Sequence, residues 1–251
     1  MLHNPEGAFR SGTDAILLAA WANNCLKLKY RSGKYDLLHI TELGCGNGTA
    51  LLALAMQNPK AQLLGLDKNK ASIDSATLNA HSLGFESRAR FAQADMGAPC
   101  SRELRQQSQL VIANPPWRKT NSGEPCGSTH RQQTIYCQND TLYDFCRFAF
   151  ELLVYHGLFC MIFEASRLVD ICITLSRNRL GLRMLLPVAS FEDKPVSRIL
   201  VMARKLAADD TRILPTLILH ERTATGIQWT KAGRQFSSWL AESPFISPVE
   251  Q

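Results

Sequence analysis

The four residues Asn114-Pro115-Pro116-Trp117 combine one side-chain amide, two rigid rings and one aromatic face. A residue before proline is pushed toward extended geometry, so Asn114 and Pro115 are both restricted. Neither proline carries an N–H donor, which leaves carbonyl oxygens as acceptors. This set suits a planar amine. The exocyclic nitrogen of adenine is a weak nucleophile because its lone pair is shared with the ring. Two acceptors, the Asn114 side-chain oxygen and the Pro115 carbonyl, can hold its two N–H hydrogens. That favours a more tetrahedral nitrogen and frees the lone pair for attack. Trp117 can stack on the base, a contact worth ~1–3 kcal/mol in single-stranded nucleic acid. No general base is needed beside the nitrogen, because the product cation loses its proton readily. The same tetrapeptide is also compatible with an ordinary Pro-Pro turn and a buried Trp. The elements around it must decide.

Leu110, Val111 and Ile112 form a continuous apolar run just ahead of the turn, as in a strand covered on both faces. Far upstream, residues 37–43 predict a strand that runs into Gly44-Cys45-Gly46-Asn47-Gly48 and then a helix over 49–57. Strand, glycine turn and helix together are the setting in which a glycine motif gains meaning. Gly44 and Gly46 let the backbone approach a ligand closely. The dinucleotide spacing G-x-G-x-x-G is absent, and Glu42 stands at the strand end. A pyrophosphate would be repelled by that carboxylate. A cationic sulfonium with a free amino group would not, which favours S-adenosylmethionine over NAD as the cofactor.

Residues 62–67 predict the next strand, ending in Asp67. An acid about 20 residues beyond a glycine turn can accept both ribose hydroxyls of a nucleoside. Residues 89–95 predict a third strand, ending in Asp95. That carboxylate can accept from the amino group of the cofactor's adenine, with Met96 against the ring. All these groups fall at the carboxyl ends of parallel strands, where open α/β sheets bind ligands.

The remaining elements follow the same alternation. Thr13 or Asp14 is a good N-cap for an apolar helix over 15–22. Arg10 and Asp14 would then flank the cofactor pocket. A basic connector spans 27–34. Residues 118–138 are polar and irregular, with Arg118, Lys119, His130 and Arg131, and suit a basic lid over a phosphate backbone. Helices are expected over 141–155, 167–179 and 229–240, and strands over 157–163, 183–188 and 198–203. Residues 213–220 are expected to add an edge strand. The sum is a seven-stranded, mostly parallel α/β sheet with an antiparallel closing strand at its edge and helices on both faces. Three segments are expected: a lead-in helix over 1–35, a catalytic domain over 36–205, and a strand and helix extension over 206–251 on the same domain.

The chain has 251 residues, 45% of them hydrophobic and 20% charged, as in ordinary globular proteins. Net charge is +6 and the pI about 9.0, which permits a polyanionic partner. None of the eight cysteines forms a C-x-x-C pair, so they read as reduced core thiols rather than metal ligands. No basic-then-apolar leader and no membrane-length apolar run is visible, and a cytoplasmic protein without a metal is expected.

In that order, Glu42-Leu-Gly-Cys-Gly-Asn-Gly48, Asp67, Asp95 and Asn114-Pro-Pro-Trp117 resemble the motifs of Rossmann-like class I S-adenosylmethionine-dependent methyltransferases. More narrowly, the chain resembles bacterial tRNA(1)(Val) adenine N6-methyltransferases, which modify the adenosine beside the anticodon. That match rests on Arg10-Ser-Gly-Thr-Asp14, on the region of Tyr136, and on Lys194-Pro-Val-Ser-Arg-Ile-Leu200. It covers roughly residues 9–204. The resemblance implies that Glu42, Gly44, Cys45, Gly46, Asp67, Lys68, Asp95, Met96 and Asn114 bind the cofactor. Arg10, Thr13 and Asp14 match a segment at the side of that pocket. It further implies that Asn114, Pro115, Pro116 and Trp117 orient the amine, and that RNA, in particular tRNA, is the partner. The chain departs from the pattern in three places. Trp117 stands where Tyr is usual, Phe163-Glu164 stands where Leu-Pro is usual, and little chain precedes Arg10. The same turn serves enzymes that methylate the glutamine amide of release factors, and guanine N2 of rRNA is a further acceptor of this class. A non-enzymatic RNA-binding module is the reading from a different class, and the intact glycines and acids oppose it.

Overall fold

A continuous apolar run within a strand must be covered on both faces, and this chain supplies two, Leu110–Ala113 and Leu158–Phe163, within successive strands. In the computed structural model, which describes residues 12–30, 38–116, 141–208 and 210–237, these are β4 (Ser108–Ala113) and β5 (Leu153–Glu164). Along β4, Leu110 and Ile112 face one layer while Val111 and Ala113 face the other. Along β5, Leu158, Cys160 and Ile162 alternate with Phe159, Met161 and Phe163 in the same way. Burying a side chain of this size contributes about 1.5–3 kcal/mol, so this pair of strands anchors the fold.

The first half of the chain builds α1 (Thr13–Lys29), β1 (Leu38–Leu43), α2 (Thr49–Gln57), β2 (Ala61–Asp67), α3 (Lys70–Ser82) and β3 (Ala89–Gln93). After β4 come α4 (Thr141–Leu152), β5, α5 (Leu168–Arg177), β6 (Leu180–Ala189) and β7 (Arg198–Lys205). Among the described residues the sheet has nine strands, ordered β3-β2-β1-β4-β5-β7-β6, and two short strands extend it at β6. These are β8 (Arg212–Ile213) and β9 (Leu217–Ile218), both parallel to β6. A separate hairpin, β10 (His220–Thr223) and β11 (Gly226–Trp229), precedes α6 (Lys231–Phe236). Helices α1 and α2 cover one face of the sheet, and α4 and α5 cover the other.

The mostly parallel sheet and its two helical layers are as the sequence predicts, and several details differ. β7 is the antiparallel strand, but it lies between β5 and β6 rather than at the edge. The expected strand over 213–220 is broken into β8 and β9, each held by only two residue pairs. The expected helix over 229–240 begins later, because Trp229 closes the β10–β11 hairpin and Thr230 caps α6 by accepting from Gly233 N at 2.9 Å.

The helix expected to reach Tyr155 ends at Leu152. Gln106 N and Gln107 N, leading into β4, take the carbonyls of Glu151 and Leu152. The buried Lys205 ammonium takes those of Phe150 and Leu153 at 2.7 and 2.6 Å. A helix whose last carbonyls are claimed by outside donors stops there.

Neither Thr13 nor Asp14 caps α1. Gly12 is the N-cap, and both residues lie inside the first turn. Every residue of α1 from Ile16 to Asn23 is buried, so its middle is apolar nearly all round. Its Trp21 donates to the Val201 carbonyl at 2.9 Å, which fixes α1 on β7.

One glycine inside a strand marks a close approach. A Cβ on Gly65, in β2, would lie 2.3 Å from Phe91 Cδ1 and 3.0 Å from Cys45 Sγ. Gly65→Ala is therefore expected to destabilise the fold by ~1–3 kcal/mol, as overpacking does. Urea denaturation would read this, and an unchanged midpoint would refute it.

Candidate active site

The register of the strands brings the motif residues to one rim. Leu43 is paired with Leu66 on β2 and with Ala113 on β4. Gly44, Asp67 and Asn114 therefore leave three neighbouring strands side by side. Adjacent strands are ~4.8 Å apart, so Asp67 and Asn114 stand roughly 10 Å apart with the glycine turn between them. The chain switches direction here, since β2 and β3 extend to one side of β1 and β4 to the other. Ligands of open α/β sheets bind at such a switch point.

The glycine turn is shaped by its own backbone. Gly44, Gly46 and Gly48 all adopt positive φ, at 66, 53 and 82°. Non-glycine residues are strained in that region. Gly46 N donates to Asp67 Oδ2 at 2.9 Å, and Asn69 N donates to Asp67 Oδ1 at 2.9 Å. Asp67 thus ties the turn after β1 to the turn after β2. A carboxylate has about four lone-pair directions, so these two bonds leave acceptor capacity for a diol. Among the described residues nothing lies within 4 Å of the place a Cβ on Gly46 would take, which leaves room for a ligand at the turn. These features fit a nucleoside cofactor over β1 and β2.

Glu42 is not where the sequence suggests. Its side chain lies beneath the turn, 3% exposed, and Oε2 accepts from Leu51 N in the first turn of α2 at 3.0 Å. A helix N-terminus offers unpaired N–H groups and a partial positive charge, which draws the carboxylate inward. Burial pushes the Glu42 carboxyl well above its ordinary 4.5, and the nearby Asp67 adds to this against the pull of the Leu51 bond. A carboxyl that holds its proton more tightly in the fold stabilises it most below 4.5, and this stability is lost as pH rises above that value. Glu42→Gln keeps an acceptor for Leu51 and has no charge to bury. The variant is thus expected to gain stability relative to the parent as pH rises from 4.5. Urea midpoints of both proteins across pH would show it, and a difference that does not change with pH would contradict it.

Cys45 also turns inward. Its N–H donates to the Leu66 carbonyl at 3.0 Å, and its thiol is buried toward β2. Burial and the Glu42 and Asp67 carboxylates push that thiol up, which keeps it unreactive. Lys68 is exposed, and its carbonyl accepts from Gln93 Nε2 at 2.8 Å. Asp95 lies two residues past β3, exposed, with Oδ1 accepting from Gly97 N at 2.9 Å. Met96 is 5% exposed and belongs to the core under α4, so it packs downward rather than lying open on the rim.

Asp14 pairs with Arg198 at 3.3 Å, joining α1 to the start of β7. Burial pushes its carboxyl up, opposed by the Arg198 charge. Glu164, at the end of β5, is paired with Arg198 in the sheet, so this ion pair sits at the same rim. Thr13 is exposed. Asn114 is half-buried, Pro115 buried and Pro116 exposed. Arg10, Trp117, Tyr136 and the basic segment over 118–138 lie outside the described residues.

Two supports escaped the sequence reading. Arg147 on α4 donates through Nη2 to the carbonyls of Met96 and Ala98, at 2.5 and 2.9 Å, and so holds the Asp95 turn. Asn47 accepts from the Thr49 hydroxyl at 2.7 Å, and its carbonyl accepts from Asn79 at 3.0 Å, which fixes the glycine turn on α3. An arginine far along the chain gives no local signal. Asn47 was readable as a polar residue just before a helix.

Five of the six cysteines among the described residues are buried, as core thiols would be. Among the described residues there is no group of three or more His, Cys, Asp or Glu that could hold a metal, and no helix long and apolar enough to cross a membrane.

A glycine turn after β1, an acid after β2 and this strand order define the class: a Rossmann-like methyltransferase domain. The Methyltransferase domain family matches residues 34–147. A tRNA1(Val) (adenine(37)-N6)-methyltransferase from Porphyromonas gingivalis is 30% identical over 223 residues, covering 86% of this chain and 83% of the relative. Its counterpart from Dickeya chrysanthemi is 29% identical over 202 residues, covering 79% and 74%. A crystal structure described as a predicted O-methyltransferase from Agrobacterium tumefaciens matches with a TM-score of 0.68 at 19% identity, over 90% of this chain and 95% of that one. That last likeness speaks for the fold alone. The chain belongs to the family of these curated relatives, the class I S-adenosylmethionine-dependent methyltransferases.

Proposed function

We propose that this enzyme methylates RNA, and that its acceptor is the exocyclic N6 amine of an adenine in tRNA. The observation that carries the reading is the Asn114-Pro115-Pro116 turn at the end of β4, beside the glycine turn of β1. The acceptors named by the curated relatives support it. S-adenosylmethionine supplies the methyl group on a sulfonium.

The chain's own part is binding and alignment. In this reading Asp67 accepts from the ribose hydroxyls, and Asp95 accepts from the amino group of the cofactor's adenine. Glu42 acts indirectly, by fixing the first turn of α2 under the glycine loop. Asn114 Oδ1 and the Pro115 carbonyl each accept one N–H of the target amine and hold its nitrogen in line with the methyl group. Catalysis then comes from positioning and from acceptors aimed at the charge that develops on the nitrogen. The proton is lost to solvent after transfer. An adenine within folded RNA must be extruded or already unstacked to reach this turn, as in a loop. Trp117 is assigned the stacking partner and residues 118–138 the backbone contacts. A tRNA substrate implies work in the cytoplasm.

Labelled cofactor offered with bulk tRNA and, separately, with release factor tests the reading. Label in N6-methyladenosine after nuclease digestion supports it. Label only in the release factor moves the acceptor to a glutamine amide, and label in N2-methylguanosine moves it to guanine.

A further inference from the structure

At the far end of the sheet from this rim lies a second concave feature. A cavity of about 220 Å³ opens between the C-terminal turn of α1 and the strands β5, β6 and β7. Leu158 and Met202 form part of its apolar floor, and Lys29, Arg183 and Arg204 bring three cations to it. Leu158 is paired with Arg204, whereas Glu164 at the other end of β5 is paired with Arg198. Six strand residues separate these ends, roughly 20 Å, so the cavity is no part of the methyl-transfer site.

Among the described residues, its cations are only partly balanced. Arg204 Nε is buried and has no hydrogen-bond partner among the described residues. A buried donor of this kind is costly unless something accepts from it. Lys29 donates to the His156 carbonyl, a neutral partner. Burial first, and then the neighbouring Arg204 charge, pull Lys29 down to about 8, so the two cations lie within reach of each other. Arg183 pairs with Asp210 at 2.9 Å, but that carboxylate is 66% exposed and its pull is screened. No carboxylate lines the cavity among the described residues.

We infer that this cavity is a binding site for a phosphate group, held by Arg204 and Lys29 with Arg183 at the rim. A guanidinium offers a planar fork of donors that matches a phosphate, and the ammonium adds a compact charge. The volume falls below the ~300–1,000 Å³ of sites for drug-sized ligands, so a phosphate fits without a bulky attached group inside. The group can belong to a free phosphate or to the backbone of a bound RNA, and the inference does not depend on which base is methylated.

Titration calorimetry of the full chain with inorganic phosphate, at constant ionic strength, tests it. The parent is expected to show saturable binding. Arg204→Met and Lys29→Met, which keep much of the apolar stem, are each expected to weaken it about tenfold or more. Absence of saturable binding by the parent overturns the proposal, as does equal binding by both variants in a folded state verified by thermal denaturation. Salt titration of tRNA binding identifies the source. A slope reduced by about one in Arg204→Met assigns the group to the RNA backbone. An unchanged slope with lost phosphate binding assigns it to a free phosphate. Failure of methyl transfer to tRNA would leave the calorimetric result standing, so the two readings fail separately.

Discussion

Replacing Asn114 with alanine is expected to lower the rate of methyl transfer by ~10³-fold or more, while the affinity for S-adenosylmethionine stays within about threefold. The side chain leaves β4 at the rim, half-buried, next to the glycine turn. In the proposed reaction its oxygen accepts from the amine more strongly as positive charge grows on the nitrogen. An interaction that strengthens only toward the transition state lowers the rate when removed and leaves ground-state binding of the cofactor nearly untouched. Removing a single oxyanion-hole donor typically costs 10²–10³ in rate, and in the proposed reaction Asn114 has the equivalent part for a developing positive charge and also fixes the direction of attack. Single-turnover rates at saturating cofactor, with affinity measured by calorimetry, separate the two quantities. A variant that retains near-parent turnover removes Asn114 from the mechanism. A variant that loses both quantities shows that Asn114 supports the cofactor pocket instead.

Asp67→Ala is expected to give the opposite split. Its carboxylate accepts from Gly46 N and Asn69 N and is assigned the ribose hydroxyls as well. Hydrogen bonds to a charged acceptor are worth about 1.5–3 kcal/mol each, so losing the ribose contacts is expected to weaken cofactor binding ~10²-fold or more. Turnover at saturating cofactor should fall much less, because the ribose is remote from the migrating methyl. Asp67→Asn retains one oxygen for one of the two backbone N–H groups and should lie between the parent and Asp67→Ala. If Asp67→Ala binds the cofactor as tightly as the parent, the carboxylate serves only to tie the two turns together.

These two positions were legible because their signals are local. A strand pattern followed by closely spaced glycines, and a later strand ending in an acid, both follow from backbone geometry that a short window reveals. Glu42 was legible as a strand-end acid, but its direction was not. Which way its carboxylate turns depends on the unpaired Leu51 N–H of α2 lying below it, and that is a fact of packing. The direction of the Met96 and Cys45 side chains was hidden for the same reason. A position beside a motif does not say whether the side chain faces the rim or the core, and both face the core. Arg147 was invisible because its bonds to the Asp95 turn join residues 51 and 49 positions apart in the chain.

The sequence by itself determined the alternation of strands and helices, the three strand-end motifs and the rigid proline turn, because periodicity, glycine and proline act over a few residues. Only the tertiary structure decided that β7 enters between β5 and β6, that Glu42 lies under the loop, and that Lys29, Arg183 and Arg204 meet at one cavity. The reason is that strand pairing and the balance of buried charge are set by groups distant in the chain, whose meeting depends on how whole layers pack.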